Sequence, residues 1–166
     1  MKNQIYYSPA GVQLLAVIAL AFVVFLLDFA SKSFVATHMT EFQTITIIPG
    51  FFSLQFVHNP GAAFGMLAHQ QWLFVLVTLV AIGAILLFQR HPDAKRGVVP
   101  VAMSLLLGGA MGNLLDRVRF GKVVDFFLFY WKDYSFPNFN VADAAITVGV
   151  ALFILHLTLT GEKKQS

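Results

Sequence analysis

The sequence predicts an all-α membrane protein in which four transmembrane helices carry a small extracytoplasmic β-structure and an interfacial aromatic segment. Composition is the first reason: 58% of the 166 residues are hydrophobic and 11% are charged, whereas roughly 25% of the residues of a typical soluble domain are charged. A soluble chain of this length could not cover its surface with so few charges, so membrane lipid must surround much of it. The length suggests a single domain over residues 1–166.

The second reason is the number of long apolar stretches. A membrane-spanning helix needs about 20 mostly apolar residues, and four stretches qualify: residues 12–34, 72–89, 97–115 and 141–160. The first could be mistaken for a secretory signal, but no small-residue cleavage site follows it and further spans do, so we interpret it as a retained helix. In the third, Gly108 and Gly112 form a small-xxx-small pattern that lets a neighbouring helix approach closely.

Four spans place both termini on the same side of the membrane as the short loop 90–96. That loop carries three Lys or Arg residues in seven positions, and basic loops stay in the cytoplasm. We therefore expect both termini in the cytoplasm. The longer connecting segments, residues 35–71 and 116–140, then lie on the outer face.

The two outer segments have different patterns. Residues 44–47 alternate between polar and apolar, Pro49 and Gly50 signal a turn, and Phe52, Leu54 and Phe56 then share one face, which predicts an amphipathic hairpin resting on the bilayer surface. The second outer segment has eight aromatic residues between positions 126 and 139. Such rings settle in the headgroup region, where they either anchor the chain or contact a substrate.

The third reason is that unusual polar residues collect at one membrane face. A charge at mid-bilayer costs about 2.5–3.5 kcal/mol, so such residues usually face a bundle interior and have a partner. Asp28 and Lys32 are four positions apart and can pair. Asn113, Asp116 and Arg117 also share a helix face. For both groups we favour a polar clamp that fixes helix packing over direct chemistry.

Asp125 and Asp143 suggest chemistry. Asp125 interrupts an apolar run, where a carboxylate is costly unless something uses it. Asp143 has two readings: with Asn140 as N-cap it is the third residue of the fourth helix, where a carboxylate caps the helix start, or it is catalytic. As a pair, 18 residues apart at one face, the two carboxylates could share a proton as an aspartic dyad does.

Other chemistries fit poorly. The chain has no Cys and no His-Glu-x-x-His motif, and its five His residues are dispersed, so we expect no metal or other cofactor. His58 is expected to be a satisfied polar residue, and Ser31 with Lys32 diverge in direction as successive helical residues. The basic residues are scattered, so nucleic acid is not an expected partner. A small transporter or proton-relay subunit and a structural membrane anchor remain as alternatives.

Five blocks, at residues 28–32, 59–65, 108–117, 123–126 and 139–143, resemble in order the signature blocks of bacterial lipoprotein signal peptidase (signal peptidase II), an aspartyl membrane protease family. The resemblance implies four transmembrane helices, a β-cradle and an interfacial helix. It implies a catalytic pair, Asp125 and Asp143, with supporting or substrate-binding roles for Asp28, Lys32, Asn59, Gly61, Asn113, Asp116, Arg117 and Asn140.

The resemblance also implies a substrate and a location. The substrate is a prolipoprotein whose lipobox Cys carries diacylglycerol, cut just before that Cys. The expected location is the bacterial cytoplasmic membrane, with the active site near its outer face. We expect the protein to act as a monomer.

Overall fold

The computed structural model describes residues 10–61 and 70–162. Four long helices are found there: α1 (Ala10–His38), α2 (Gln71–Phe88), α3 (Val99–Phe120) and α4 (Val141–Glu162). All four are long and apolar enough to cross a membrane, which confirms the four predicted spans. The strands are β1 (Thr44–Ile48), β2 (Phe52–Asn59), β3 (Val123–Trp131) and β4 (Tyr134–Ser135), and a 3-10 turn (Pro92–Lys95) lies between α2 and α3.

Helix α3 lies at the centre of the bundle. In an 18-residue apolar window of α3 61% of the residues are buried, against 6–22% in the other three helices, so α1, α2 and α4 leave most of their apolar residues exposed on the outside of the bundle. Glycines set the close packing. A Cβ at Gly108 would lie 2.4 Å from the Ala21 carbonyl oxygen of α1, and one at Gly109 would lie 2.5 Å from the Ala142 carbonyl oxygen of α4. The predicted close approach at this motif is therefore confirmed.

The two outer segments form a single antiparallel sheet in the order β1-β2-β3-β4. The predicted hairpin is confirmed as β1 and β2. Its simple alternation is not, because the register shifts between Leu54 and Val57 and the buried residues of β2, Ser53 and Phe56, are three positions apart. The Ser53 side chain, next to Phe52 and Leu54 and so on the opposite face by alternation, is 1% exposed, and its hydroxyl lies 3.3 Å from the Tyr130 hydroxyl.

The aromatic segment is largely strand β3. Phe129 pairs with Phe52 across the two strands, and their rings stack with centroids 4.8 Å apart. β-Branched and aromatic residues favour a pleated, half-buried surface, and pairing with β2 provides such a surface for the aromatic residues of β3. Among the described residues that connect α1 to α2 and α3 to α4 there is no separate α-helix. Residues 62–69, which include most of the 59–65 block, lie outside the described residues.

The start of β3 links the sheet to the bundle. Val124 and Phe126 are buried in one apolar cluster with Phe56 of β2 and with Val35 and Met39 at the end of α1. Asp125 lies between these two anchors. The strand thereby holds Asp125 beside the end of α3 and the start of α4.

Candidate active site

Asp125 lies in β3 and is 2% exposed. Two amide side chains donate to its carboxylate: Asn59 Nδ2 to Oδ2 at 2.9 Å and Asn140 Nδ2 to Oδ1 at 2.7 Å. Burial raises the pKa of this carboxyl to about 7, and the nearby charge of Asp143 acts in the same direction, while the hydrogen bonds from the two Asn residues lower it. Asp125 is therefore a group that can hold or release a proton near neutral pH.

Asp143 lies in the first turn of α4 and caps that helix together with Asn140. The Asp143 backbone N–H donates to Asn140 Oδ1 at 2.9 Å, and the Asn140 backbone N–H donates to Asp143 Oδ2 at 3.2 Å. This reciprocal arrangement is a capping box, so the capping reading of Asp143 is confirmed. The second oxygen, Oδ1, points elsewhere: it accepts from Asn113 Nδ2 at 2.7 Å. Capping therefore uses only one carboxylate oxygen of Asp143, and the other oxygen belongs to the polar group around Asn113.

Asn140 bridges the two carboxylates. Its side chain is fully buried, and its Nδ2 lies within 3.3 Å of three acceptors: Asp125 Oδ1, Asn113 Oδ1 and the Val124 carbonyl oxygen. The Asn113 and Val124 oxygens can only accept, so the amide must present its NH2 group on this side. Its oxygen is left to accept the Asp143 backbone N–H, and one amide therefore contacts both Asp residues.

Lys32 organises the other side of Asn113. Its ammonium group is 4% exposed and has three partners, Asp28 Oδ2 at 2.7 Å, Asn113 Oδ1 at 2.9 Å and Asp116 Oδ2 at 3.0 Å. This confirms the predicted pairing of Asp28 with Lys32. It also joins the two polar groups that the sequence placed on separate helices. A Lys donates three hydrogens and accepts none, so Asn113 must turn its oxygen to Lys32 and its NH2 group to Asp143.

Asp28 and Asp116 connect this cluster to the backbone. Asp28 Oδ1 accepts from the Ala142 backbone N–H at 2.8 Å, at the start of α4. Asp116 Oδ2 accepts from the Val124 backbone N–H at 3.2 Å, at the start of β3. Val124 directly precedes Asp125, and Ala142 directly precedes Asp143. Because the cluster binds both of these backbone N–H groups, it fixes the positions of both carboxylates.

Arg117 and Asn59 complete the polar group. Arg117 lies with Nη1 3.4 Å from the Asn113 carbonyl oxygen and with Nη2 3.4 Å from the Gly61 carbonyl oxygen, and its guanidinium stacks over the Phe74 ring of α2 at 4.9 Å. The Gly61 backbone N–H donates to Asn59 Oδ1 at 2.9 Å. Because that contact occupies the Asn59 oxygen, the Asn59 NH2 group faces the Asp125 carboxylate.

A cavity of about 540 Å³ opens beside the two carboxylates. Asp125, Asp143 and Arg117 provide charged groups on its surface. The remaining described lining is mostly apolar: Asn59, Gly61, Phe136, Pro137, Asn138, Phe139, Ala144, Thr147 and Val148. An apolar cavity with a few convergent polar groups is the usual form of a ligand site. The buried Asp125 carboxylate, whose pKa is raised, and the half-buried Asp143 carboxylate both lie at its edge, which favours hydrolytic acid–base chemistry.

Comparison with known proteins decides the family. The model of the family described as Signal peptidase (SPase) II matches residues 20–159. The chain belongs to the signal peptidase II family. It is therefore an endopeptidase of the aspartic type.

Individual relatives of this peptidase agree with that assignment. A lipoprotein signal peptidase from Symbiobacterium thermophilum is 53% identical over 146 residues, which cover 88% of this chain and 96% of that protein. One from Geobacter metallireducens is 44% identical, over 84% of this chain and 88% of that protein. The fold is similar to that of a bacterial membrane enzyme solved by the in meso method at 2.3 Å, with a TM-score of 0.84 and 35% identity over 90% of this chain and 91% of the other.

All ten residues that the sequence singled out in this peptidase meet in one hydrogen-bonded network. Asn140 contacts Asp125, Asp143 and Asn113. Lys32 connects Asn113 to Asp28 and Asp116. Arg117 connects Asn113 to Gly61, which contacts Asn59, and Asn59 in turn donates to Asp125. Their catalytic and binding roles stay predictions. In the described part of the chain, no three His, Cys, Asp or Glu residues are grouped as metal ligands, and cofactor independence also stays a prediction.

Sequence reasoning missed part of the cavity wall. Thr147 is four residues beyond Asp143, and Val148 is four beyond Ala144, so helical periodicity could have placed both pairs along one side of α4. Phe136 and Phe139 belong to the aromatic segment singled out above, but nothing in the sequence indicated Pro137 and Asn138, because their position depends on the turn that returns the chain from β3 to α4. His58 is a satisfied polar residue, as predicted: its Nδ1 lies 2.7 Å from Glu41 Oε1.

Proposed function

We propose that this peptidase removes signal peptides from prolipoproteins by general acid–base hydrolysis at Asp125 and Asp143, cutting just before a Cys that carries diacylglycerol. The observation that carries the proposal is the bridge through Asn140, which ties two carboxylates from different segments to the edge of one cavity. Membership of the signal peptidase II family supports the reaction class. A transporter or proton relay would need polar groups through the depth of the bilayer, whereas these gather at one end of the helices.

The surroundings of the two carboxylates favour different protonation states. Asp143 accepts N–H bonds on both oxygens, from Asn113 and from the Asn140 backbone, and it lies at the positive end of a helix dipole, which favours its charged form. Asp125 also accepts two N–H bonds, but burial and the charge of Asp143 outweigh them and raise its pKa to about 7. We therefore assign Asp143 as the ionised general base and Asp125 as the protonated general acid.

The reaction then follows in balanced steps. Asp143 takes a proton from water as the water oxygen bonds to the scissile carbonyl carbon, and Asp125 gives its proton to the carbonyl oxygen. The tetrahedral intermediate collapses when the C–N bond breaks. Asp143 passes its proton to the departing amine of the lipidated Cys, and Asp125 recovers a proton from the intermediate's hydroxyl. The pair ends in the state in which it began.

Lys32 acts as a positioning residue in this scheme. Because Lys32 holds the oxygen of Asn113, the Asn113 NH2 group stays on Asp143 throughout the cycle. An inverted amide would place an oxygen against the Asp143 carboxylate, where two acceptors repel. The buried cluster around Lys32 thereby preserves a donor that favours the charged base.

The position of the cavity supports the proposed location. The cavity adjoins the end of α3 and the start of α4, opposite the basic loop 90–96, so an active site near the outer face of the cytoplasmic membrane follows from the predicted orientation. The four-stranded sheet would be the extracytoplasmic cradle for the signal peptide, with its aromatic side chains among the lipid headgroups. All ten network residues come from one chain, so we propose that it works as a monomer.

Single substitutions at the dyad test the proposal. Asp125→Asn and Asp143→Asn keep size and shape but remove the titrating proton, so each should lose nearly all cleavage of a diacylglyceryl-modified prolipoprotein in a gel-shift assay. The double variant should be little worse, because residues acting as a unit are non-additive. Both should still bind the substrate.

Asp133→Asn is the matched control, since Asp133 is exposed in the turn between β3 and β4 and should tolerate the change. Near-wild-type turnover by Asp143→Asn would mean that Asp143 only caps its helix, and the proposed mechanism would be wrong.

A further inference from the structure

A second cavity, of about 170 Å³, lies at the other end of the bundle between the end of α2, the 3-10 turn and the end of α4. His156 of α4 lines it, 13 residues beyond Asp143, which at 1.5 Å per residue is roughly 20 Å along the helix. We propose that this cavity binds the headgroup of a phospholipid that carries both an ammonium and a phosphate group, as phosphatidylethanolamine does. The proposal does not depend on the assignment of the catalytic residues.

The rim of this cavity carries opposite charges in a fixed geometry. Asp93 Oδ1 lies 2.9 Å from Arg96 Nη1, and the two side chains remain 40% and 53% exposed. The turn is held by the His91 ring, which accepts from the Asp93 backbone N–H at 3.3 Å. A carboxylate has about four acceptor positions and a guanidinium has five donor hydrogens, so the ion pair leaves room on both partners for an ammonium and a phosphate.

His156 adds a second phosphate-binding group. Gly97, with a φ of +52°, lets the loop turn toward α4, and its absent Cβ would lie 3.6 Å from His156 Nδ1. The imidazole therefore borders the same cavity as Arg96. A phosphate there would contact the guanidinium from one side and the imidazole from the other.

The wall of the cavity that α2 and α4 form is apolar. Phe88 of α2 and Phe153 of α4 pack edge to face with ring centroids 5.6 Å apart, and Leu157 beside them is 53% exposed. Both helices present apolar faces to lipid here. An acyl chain can thus continue from a headgroup on the rim along the groove between α2 and α4.

Charge and size together select the ligand. Asp93 would repel the phosphate of an anionic lipid that brings no ammonium, such as phosphatidylglycerol, while a choline headgroup has no N–H to donate to a carboxylate. The volume, about 170 Å³, suits a small headgroup better than a peptide segment or a nucleotide.

Native mass spectrometry of the full chain tests this. The protein would be mixed with equal amounts of phosphatidylethanolamine, phosphatidylglycerol and phosphatidylcholine that share the same acyl chains. We expect several-fold greater retention of phosphatidylethanolamine. Asp93→Asn should lose the preference over phosphatidylglycerol, Arg96→Gln should weaken retention of both, and Lys95→Gln, which changes the same loop but not the cavity lining, should match the wild type.

Two further arms keep the test decisive. His156→Leu probes the cavity from α4 without altering the loop and should reduce retention even if a loop variant folds poorly. Excess soluble phosphoethanolamine should compete only weakly, because it lacks the acyl chains that the groove holds; full displacement would mean that a free headgroup is the ligand. Equal retention of the three lipids by the wild type, or a preference unchanged in Asp93→Asn and His156→Leu, would overturn the proposal.

Discussion

Replacement of Asn140 separates two functions that meet in one side chain. Its oxygen caps α4 by accepting the Asp143 backbone N–H, while its NH2 group donates to Asp125. A Ser at this position still offers a capping oxygen, because Ser and Asn are similarly good N-caps, and an Ala does not. Neither replacement can donate across the distance to Asp125. Asn140→Ser and Asn140→Ala should therefore differ in stability and agree in activity.

The expected magnitudes follow from these contacts. Loss of the cap costs typically about 1 kcal/mol, so Asn140→Ala should be about that much less stable than Asn140→Ser. The 2.7 Å bond to Asp125 becomes a hydrogen bond to a charged group as Asp125 gives up its proton in the reaction, and such a bond is worth about 1.5–3 kcal/mol. If that stabilisation is needed in the transition state, kcat/KM should fall about 10-fold to 150-fold in both variants, at about 1.4 kcal/mol per tenfold.

The pH profile gives an independent signature. The bond from Asn140 lowers the pKa of Asp125, so its removal should raise that pKa above about 7. A general acid works in its protonated form, and a higher pKa keeps it protonated to higher pH. The alkaline limb of kcat/KM should therefore move to higher pH in both variants.

The assays are thermal melts and gel-shift cleavage of lipidated prolipoprotein across pH. Wild-type kcat/KM with an unmoved profile would show that Asn140 is only a cap. A shift of the acid limb alone would show that Asp125 is the base, and the two assignments would have to be exchanged.

Three further predictions concern packing, charge and orientation. Gly112→Ala would place a Cβ 2.3 Å from Asp28 Oδ2 and should destabilise by about 1–3 kcal/mol, while the control Gly83→Ala, with nothing within 4 Å, should melt no lower than the wild type, because Ala is more favourable than Gly in a helix interior. Asp28→Ala removes one of the two carboxylates that pair with the buried Lys32 and leaves the Ala142 N–H without its acceptor, so it should cost about 1–3 kcal/mol, seen as lower folded yield; a stable but inactive variant would instead place Asp28 in the chemistry. A reporter at Lys95 should be active only in the cytoplasm, one in the β3–β4 turn only outside, and the opposite result would reverse the orientation.

Several features of the molecule could be predicted because their causes are local. A bilayer demands about 20 apolar residues per span, and the four spans satisfy that demand by composition alone. Spacings of three and four along a helix bring side chains together whatever else the chain does. The pairing of Asp28 with Lys32 and the capping box of Asn140 and Asp143 could therefore be predicted from the sequence.

Other features depend on how distant segments pack. Lys32 and Asn113 are 81 positions apart and meet only because α1 and α3 approach closely at the glycines of α3. The aromatic segment forms β3 because β2, distant in the sequence, offers a partner edge, and Ser53 of β2 is buried beside Tyr130 of that strand. Side-chain periodicity within one segment carries no information about the register between two segments. The amide orientations around Asp125 and Asp143, the raised pKa of Asp125 and the cavity walls were accordingly decided by the tertiary structure.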